Sequence, residues 1–364
     1  MKTLIKNEYP LILGIVTVLL FFGPGVGWLS DMGSNMTSTS ISFIGLFGVM
    51  LWASFKVVVH ADMLAIKLGE PFGTLILTLS VILIEVLLIS TIMLTGDDNP
   101  TLGRDMMFSV IMIVLNGLTG LVLIIGGIKH FEQKFNLQGA QTYLIILIPL
   151  ATLSLILPNY TQSSETGTFS LNMTWIGIAV TAILYLAFLF AQTYRHKDYF
   201  QMSYSEALHE EEHKPKSSSY HMLFLVAYML VIILLSKSLS KIIDFGIGEI
   251  GFPVALGGLL VAVLVLAPEG MAAAKSALRN DLQRSINISL GSGLSTISLT
   301  VPAVLLIGIF TGKKVILGLG PEDSFLLILT LAVSMVTFSG KRSNFIQGIV
   351  HLVLFLIYLA LIFD

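Results

Sequence analysis

The chain has 364 residues, of which 55% are hydrophobic and 12% charged, with a formal charge of −2 and a mean hydropathy of +0.90. Soluble domains carry about twice that charged fraction, and so balanced a charge carries no nucleic-acid electrostatics. The absence of cysteine excludes a disulfide framework, thiolate metal sites and cysteine nucleophiles. These limits leave a polytopic all-α integral membrane protein.

A helix needs about 20 mostly apolar residues to cross the hydrocarbon core, and eleven stretches meet that need. The first, 10–29, follows Lys2 and Lys6. It reads as a retained helix rather than a cleaved signal segment, because Phe21 to Leu29 offers no small-residue cleavage site. The second, 39–60, ends at His60 and Asp62, a candidate proton relay or a plain interfacial polar pair. Spans at 72–95, 105–127, 141–158 and 172–193 follow. A hydrophilic segment, 194–219, comes next, and then spans at 220–237, 252–275, 285–311, 322–338 and 344–363. Pro302 falls inside the ninth, a break tolerated where neighbours satisfy the freed backbone.

With the N-terminus cytoplasmic and eleven crossings, fifteen Lys and Arg residues fall on the inner side and five on the outer: Arg104, Lys237, Lys241, Lys313 and Lys314. The positive-inside rule therefore places the N-terminus in the cytoplasm and the C-terminus outside, in a multi-pass membrane protein.

The halves align without gaps around two glutamates. Gly73, Leu75 and Glu85 match Gly257, Leu259 and Glu269, with twelve residues from glycine to glutamate in both. Further on, Asn116-Gly117-Leu118-Thr119 matches Ser292-Gly293-Leu294-Ser295. The pattern predicts an extra N-terminal helix (1–36), a five-helix repeat (37–194), an acidic connector (195–219) and a second repeat (220–364). Five is odd, so the second copy is inverted, a plan that places a transport site near the membrane midplane.

Glu85 is the only charge between Pro71 and Thr95, and Glu269 the only one between Gly251 and Ala274. An intramembrane carboxylate costs at least about 2.5 kcal/mol and is a functional hypothesis by default. The plain alternative is a protonated glutamate bonded to a neighbouring helix. Lys275 lies six residues past Glu269, about 600° around the helix, and faces elsewhere. Burial and like-charge repulsion favour the protonated form, so protons and a metal cation compete for the pair. Oxygen ligands for a hard cation are at hand. Thr78, Ser80 and Ser90 share the helix of Glu85, and Gln283, Ser285, Asn287, Ser289, Ser292 and Ser295 lie on the ninth span. Asn116 is a further candidate. For each hydroxyl the competing role is gluing helices together.

The run His60-Ala61-Asp62 to Leu68-Gly69-Glu70-Pro71, continuing through Leu79-Ser80-Val81 to Glu85-Val86, resembles the bacterial ChaA-type cation/proton antiporters of the cation/calcium exchanger superfamily. So does Pro268-Glu269-Gly270, followed by Asn280, Gln283-Arg284, Asn287, Gly291-Ser292 and Thr296 to Pro302. The resemblance covers nearly the whole chain past the first helix. It implies one helix plus two inverted five-helix repeats, and export of Ca²⁺ and/or Na⁺/K⁺ against protons by alternating access. Its paired glutamates fall on Glu85 and Glu269, and its second motif on Asn287 and Gly291-Ser292. Where the wider calcium-exchanger pattern has Gly-Asn before each acid, this chain has Val81-Ile82 and Val265-Leu266. That difference leaves Na⁺ and K⁺ open beside Ca²⁺. No cofactor is implied; the partners are cations, protons and the bilayer, with a homo-oligomer open.

Two rival readings stay in view. A passive cation channel could use the same acids without obligatory proton counterflow. His209-Glu210-Glu211-Glu212-His213 matches the zincin pattern, in which two histidines hold zinc and a glutamate is the base. That stretch sits in a hydrophilic, Ser/Lys-flanked segment, and a membrane metalloprotease is the weaker reading. Glu206, Glu210, Glu211 and Glu212 read better as a cytoplasmic segment that concentrates or senses cations.

Overall fold

The structure, a computed structural model, describes residues 8–30, 32–68, 72–96, 99–200 and 217–364, without the side chains of 30 and 72–78. Glu206, His209, Glu210, Glu211, Glu212 and His213 lie outside the described residues. The long helices are α1 (Tyr9–Phe22), α2 (Met36–Leu68), α3 (Phe72–Thr95), α4 (Leu102–His130), α5 (Leu137–Leu155) and α6 (Leu171–Phe190). After the connector come α7 (Ser218–Phe245), α8 (Ala255–Leu278), α9 (Leu282–Thr311), α10 (Pro321–Thr337) and α11 (Phe345–Ile362). Among the described residues eight helices are long and apolar enough to cross a membrane, with Tyr9–Phe22 and Leu79–Thr95 as shorter apolar helices.

Every expected span falls on a helix, but several boundaries move for physical reasons. The stretch 10–29 is not one helix. It stops at Phe22, turns through Gly23-Pro24-Gly25 and resumes as Val26–Ser30, because Pro24 lacks a donor N–H between two permissive glycines. Helix α2 runs to Leu68, so His60 and Asp62 lie two turns inside it rather than at its end. Helix α7 continues to Phe245 and carries Lys237 and Lys241 on exposed positions, where long stems reach toward the interface. Inside α4, Ile113–Leu118 widens to a π-helix, a feature frequent at functional sites.

The chain divides into two compact units, Met1–Asn99 with Lys214–Pro268, and Pro100–His213 with Glu269–Asp364. Each takes helices from both halves of the sequence. In the first unit α1, α2 and α3 pack against α7. In the second, α9 packs against α4, α5 and α6, and α4 crosses α11. That crossing is backbone on backbone. A Cβ at Gly120 would stand 2.9 Å from the Gly348 carbonyl oxygen, and a Cβ at Gly348 2.7 Å from the Gly120 carbonyl oxygen.

The loops of the second unit sort to two ends. At one, Asn159 Nδ2 donates to the Leu319 carbonyl (2.7 Å) and Arg104 to the Gly318 carbonyl (3.1 Å). Lys314 pairs with Glu165 there and holds that exposed carboxyl below its usual range. At the other end, Gln133–Lys134 pairs antiparallel with Arg342–Ser343. There Lys129 donates to the Leu278 carbonyl and Gln133 to the Ala277 carbonyl.

Candidate ion-binding site

Glu269 follows Pro268 within α8. Proline has no N–H, so the Leu264 carbonyl one turn back loses its helical donor. The Ser292 hydroxyl on α9 donates to Glu269 Oε2. Glu269 is half-buried and Ser292 buried, so the carboxylate is held by a partner that can equally offer oxygen to a cation. The Ser295 hydroxyl donates to the Ser292 carbonyl (3.0 Å), which fixes this turn of α9. Ser289, one turn before Ser292, is buried, and among the described residues its hydroxyl has no hydrogen-bond partner.

In the first unit Glu85 is 1% exposed on α3, and Ser80 on the same helix is also buried. Helix α3 packs against both α2 and α7. A carboxyl so deeply buried is costly as a bare charge, and a bound cation or proton relieves that cost.

The other candidates are placed differently. The Ser285 hydroxyl donates to the Ala273 carbonyl (2.7 Å), clasping α9 to α8. Asn287 Nδ2 donates to the Phe200 carbonyl (2.7 Å), while its Oδ1 accepts from Gln283 (2.9 Å). Asn116 sits in the π segment and is fully buried. Its Nδ2 donates to Thr330 Oγ1 (2.8 Å), and its Oδ1 faces His351 Nδ1 (3.0 Å). An amide oxygen only accepts, so His351 Nδ1 carries the proton and Nε2 accepts from Thr337 (2.9 Å). Asn116 and Ser292, matched by the repeat, thus serve different neighbours. Thr330, Thr337 and His351 escape the sequence reading. The signal was a histidine inside an otherwise uncharged span, which the rule used for the glutamates also flags.

A model described as "Sodium/calcium exchanger protein" matches residues 38–194 and 220–363. The chain belongs to this family. The sodium-potassium/proton antiporter ChaA of Escherichia coli (strain K12) is 40% identical over 329 residues, 89% of each chain. The Ca(2+)/H(+) antiporter ChaA of Bacillus subtilis (strain 168) is 24% identical over 253 residues, 65% of this chain and 71% of that one. The solved Ca2+/H+ antiporter protein YfkE shares the fold with a TM-score of 0.73, covering 98% of this chain and 99% of that one at 18% identity. The exchanger family model passes over residues 195–219, the hydrophilic connector.

His60 meets residues from outside its own helix. It is buried beside His221 and Glu8, while Asp62 is half-buried on the same helix.

Proposed function

We propose that the protein is a secondary active antiporter that exports Ca²⁺ and/or Na⁺/K⁺ in exchange for protons by alternating access. The observation that carries this reading is a family relative, named as a sodium-potassium/proton antiporter, 40% identical over 89% of the chain. The two intramembrane carboxyls, buried Glu85 and half-buried Glu269, supply the chemistry: each holds a cation or a proton, never neither. Ser292 and Ser80 are the ion-facing hydroxyls, while Ser285, Asn287 and Asn116 hold helices in place. The chain is a transporter and not an enzyme, and needs no cofactor.

In this reading the protein spans the bacterial inner membrane eleven times with its N-terminus cytoplasmic. The loops of the second unit support that parity. Those expected outside, near 99–104, 156–170 and 312–320, are joined to one another. Those expected inside, near 129–136, 277–283 and 339–344, are joined likewise. The family match in two blocks supports a one-plus-five-plus-five repeat separated by the connector. Glu206, Glu210, Glu211 and Glu212 make that connector a cytoplasmic cation-sensing segment.

The test is proton flux in proteoliposomes carrying a pH gradient, with Ca²⁺, Na⁺ and K⁺ added separately. Dissipation by at least one cation is expected. Cation flux with no obligatory proton movement would leave the channel reading in its place.

A further inference from the structure

The first unit holds a polar cluster apart from Glu85. Glu8, immediately before α1, is 7% exposed. It accepts from the Tyr220 hydroxyl at Oε1 (2.5 Å) and the Tyr228 hydroxyl at Oε2 (3.0 Å), both on α7. From α2, His60 Nε2 lies 3.4 Å and Lys56 Nζ 3.7 Å from Oε2. His60 Nδ1 lies 3.0 Å from His221 Nδ1 on α7, and both rings are buried, at 3% and 7% exposure. Tyr228 and Phe224 stack on the His60 ring at 5.8 and 5.7 Å.

The proton positions follow from donor and acceptor chemistry. An ionised carboxylate only accepts, so His60 Nε2 carries a proton toward Glu8. In the neutral ring His60 Nδ1 then accepts, and His221 Nδ1 must donate to it. Each neutral ring then carries one proton, and a further proton on His221 goes to its second nitrogen, Nε2. That proton makes the pair singly positive. A shift of the inter-ring proton from His221 to His60 carries the charge toward the Glu8 carboxylate, its counter-ion. The other ionisable groups around the pair are few. Lys56 of α2 and the Tyr220 and Tyr228 hydroxyls of α7 all meet the Glu8 carboxylate.

We infer that His60 and His221, with Glu8 as counter-ion, form a second proton-binding site that holds one shared proton and ties α1 to α2 and α7. The ligand is a single proton taken from the cytoplasmic face. The site is not a transport glutamate, and it rests on the antiport reading only for its effect on exchange rate. Two rings in direct hydrogen-bond contact titrate as a pair, so removing one changes the other.

The direct test uses the full-length chain labelled with ¹⁵N-histidine, read by NMR across pH 5 to 8. Wild-type protein is expected to show two of its seven histidines titrating together. His60→Gln is expected to move the His221 proton affinity by about tenfold or more, and Tyr228→Phe, which keeps both rings, to leave the pair coupled. Unchanged His221 titration in His60→Gln overturns the inference, as does independent titration in wild type. In proteoliposomes, the dependence of exchange on cytoplasmic-side pH is expected to flatten in His60→Gln, in His221→Gln and no further in the double variant. Coupled titration in a protein that moves no cation would sink the antiport reading and leave this site standing. A pH profile unchanged in both variants would refute the site's control of exchange.

Discussion

Replacing Glu85 or Glu269 with glutamine keeps shape and hydrogen-bonding capacity but removes the group that titrates. Each variant is expected to fold, elute as wild type and lose at least about 99% of cation-driven proton flux, since no other carboxyl shares its span. Full flux in either variant would remove that residue from the mechanism. Ser292→Ala is a milder change. It deletes the donor to Glu269 Oε2, and a hydrogen bond to a charged group contributes about 1.5–3 kcal/mol. The expected outcome is a KM for the cation raised roughly ten- to a hundredfold, with folding intact. His351→Leu tests a structural role instead. It strands the buried Asn116 oxygen and Thr337 hydroxyl, and each unsatisfied group costs about 1–3 kcal/mol. Thermal unfolding in detergent should show a clearly lowered Tm, and an unchanged Tm would mean that water or a neighbour replaces the ring. The glutamates stood out in the sequence as candidates because a lone charge in an apolar span is costly. The partners of Asn116 and His60 did not, because Thr330, His351, His221 and Glu8 lie between 52 and 235 positions away, and no local pattern reports such pairings.

At the scale of helices, hydropathy put each expected span on a helix but did not show where each helix stops. A helix ends where its backbone groups find other partners, and Gly23-Pro24-Gly25 shows the rule inside a stretch that is apolar throughout. The π segment of α4 and the α4–α11 crossing are tertiary outcomes of the same kind. At that crossing Gly120 and Gly348 each face the other's carbonyl and a further backbone nitrogen, beside the Leu352 and Ile124 side chains, and backbone cannot rotate away as a side-chain tip does. Gly120→Ala should therefore lower the Tm measurably, and Gly120→Val should prevent accumulation of folded protein. Shrinking the Leu352 side chain should not rescue either variant, because the Gly348 carbonyl and the Leu352 backbone nitrogen remain in place. Normal stability in Gly120→Val would show that the two helices separate at little cost. Gly117, whose Cβ would meet only the Phe355 ring at 3.5 Å, is the control: Gly117→Ala should be tolerated.

At the scale of the molecule, the repeat and the compact units divide the chain differently. The gapless match of Glu85 to Glu269 cuts it in the connector, whereas packing assigns α2, α3 and α7 to one unit and α4, α6 and α9 to the other. An inverted duplication reconciles the two, because equivalent helices of both copies then join the same unit. That explanation requires an odd number of helices in each copy and hence opposite faces for the two termini. The chain has no cysteine, so single introduced cysteines report topology without background. Ser163→Cys and Asp364→Cys, both exposed, are expected to react with an impermeant maleimide added outside intact cells. Ser217→Cys and Ser339→Cys, also exposed, should react only in everted vesicles. Each position tests a separate link: Ser163 and Ser217 bracket the odd crossing by α6, and Ser339 and Asp364 bracket α11. Asp364→Cys labelling from the same face as Ser217→Cys would make the number of helices in the second half even. Five-helix inversion would then be untenable, and the repeat match of Glu85 to Glu269 would go with it.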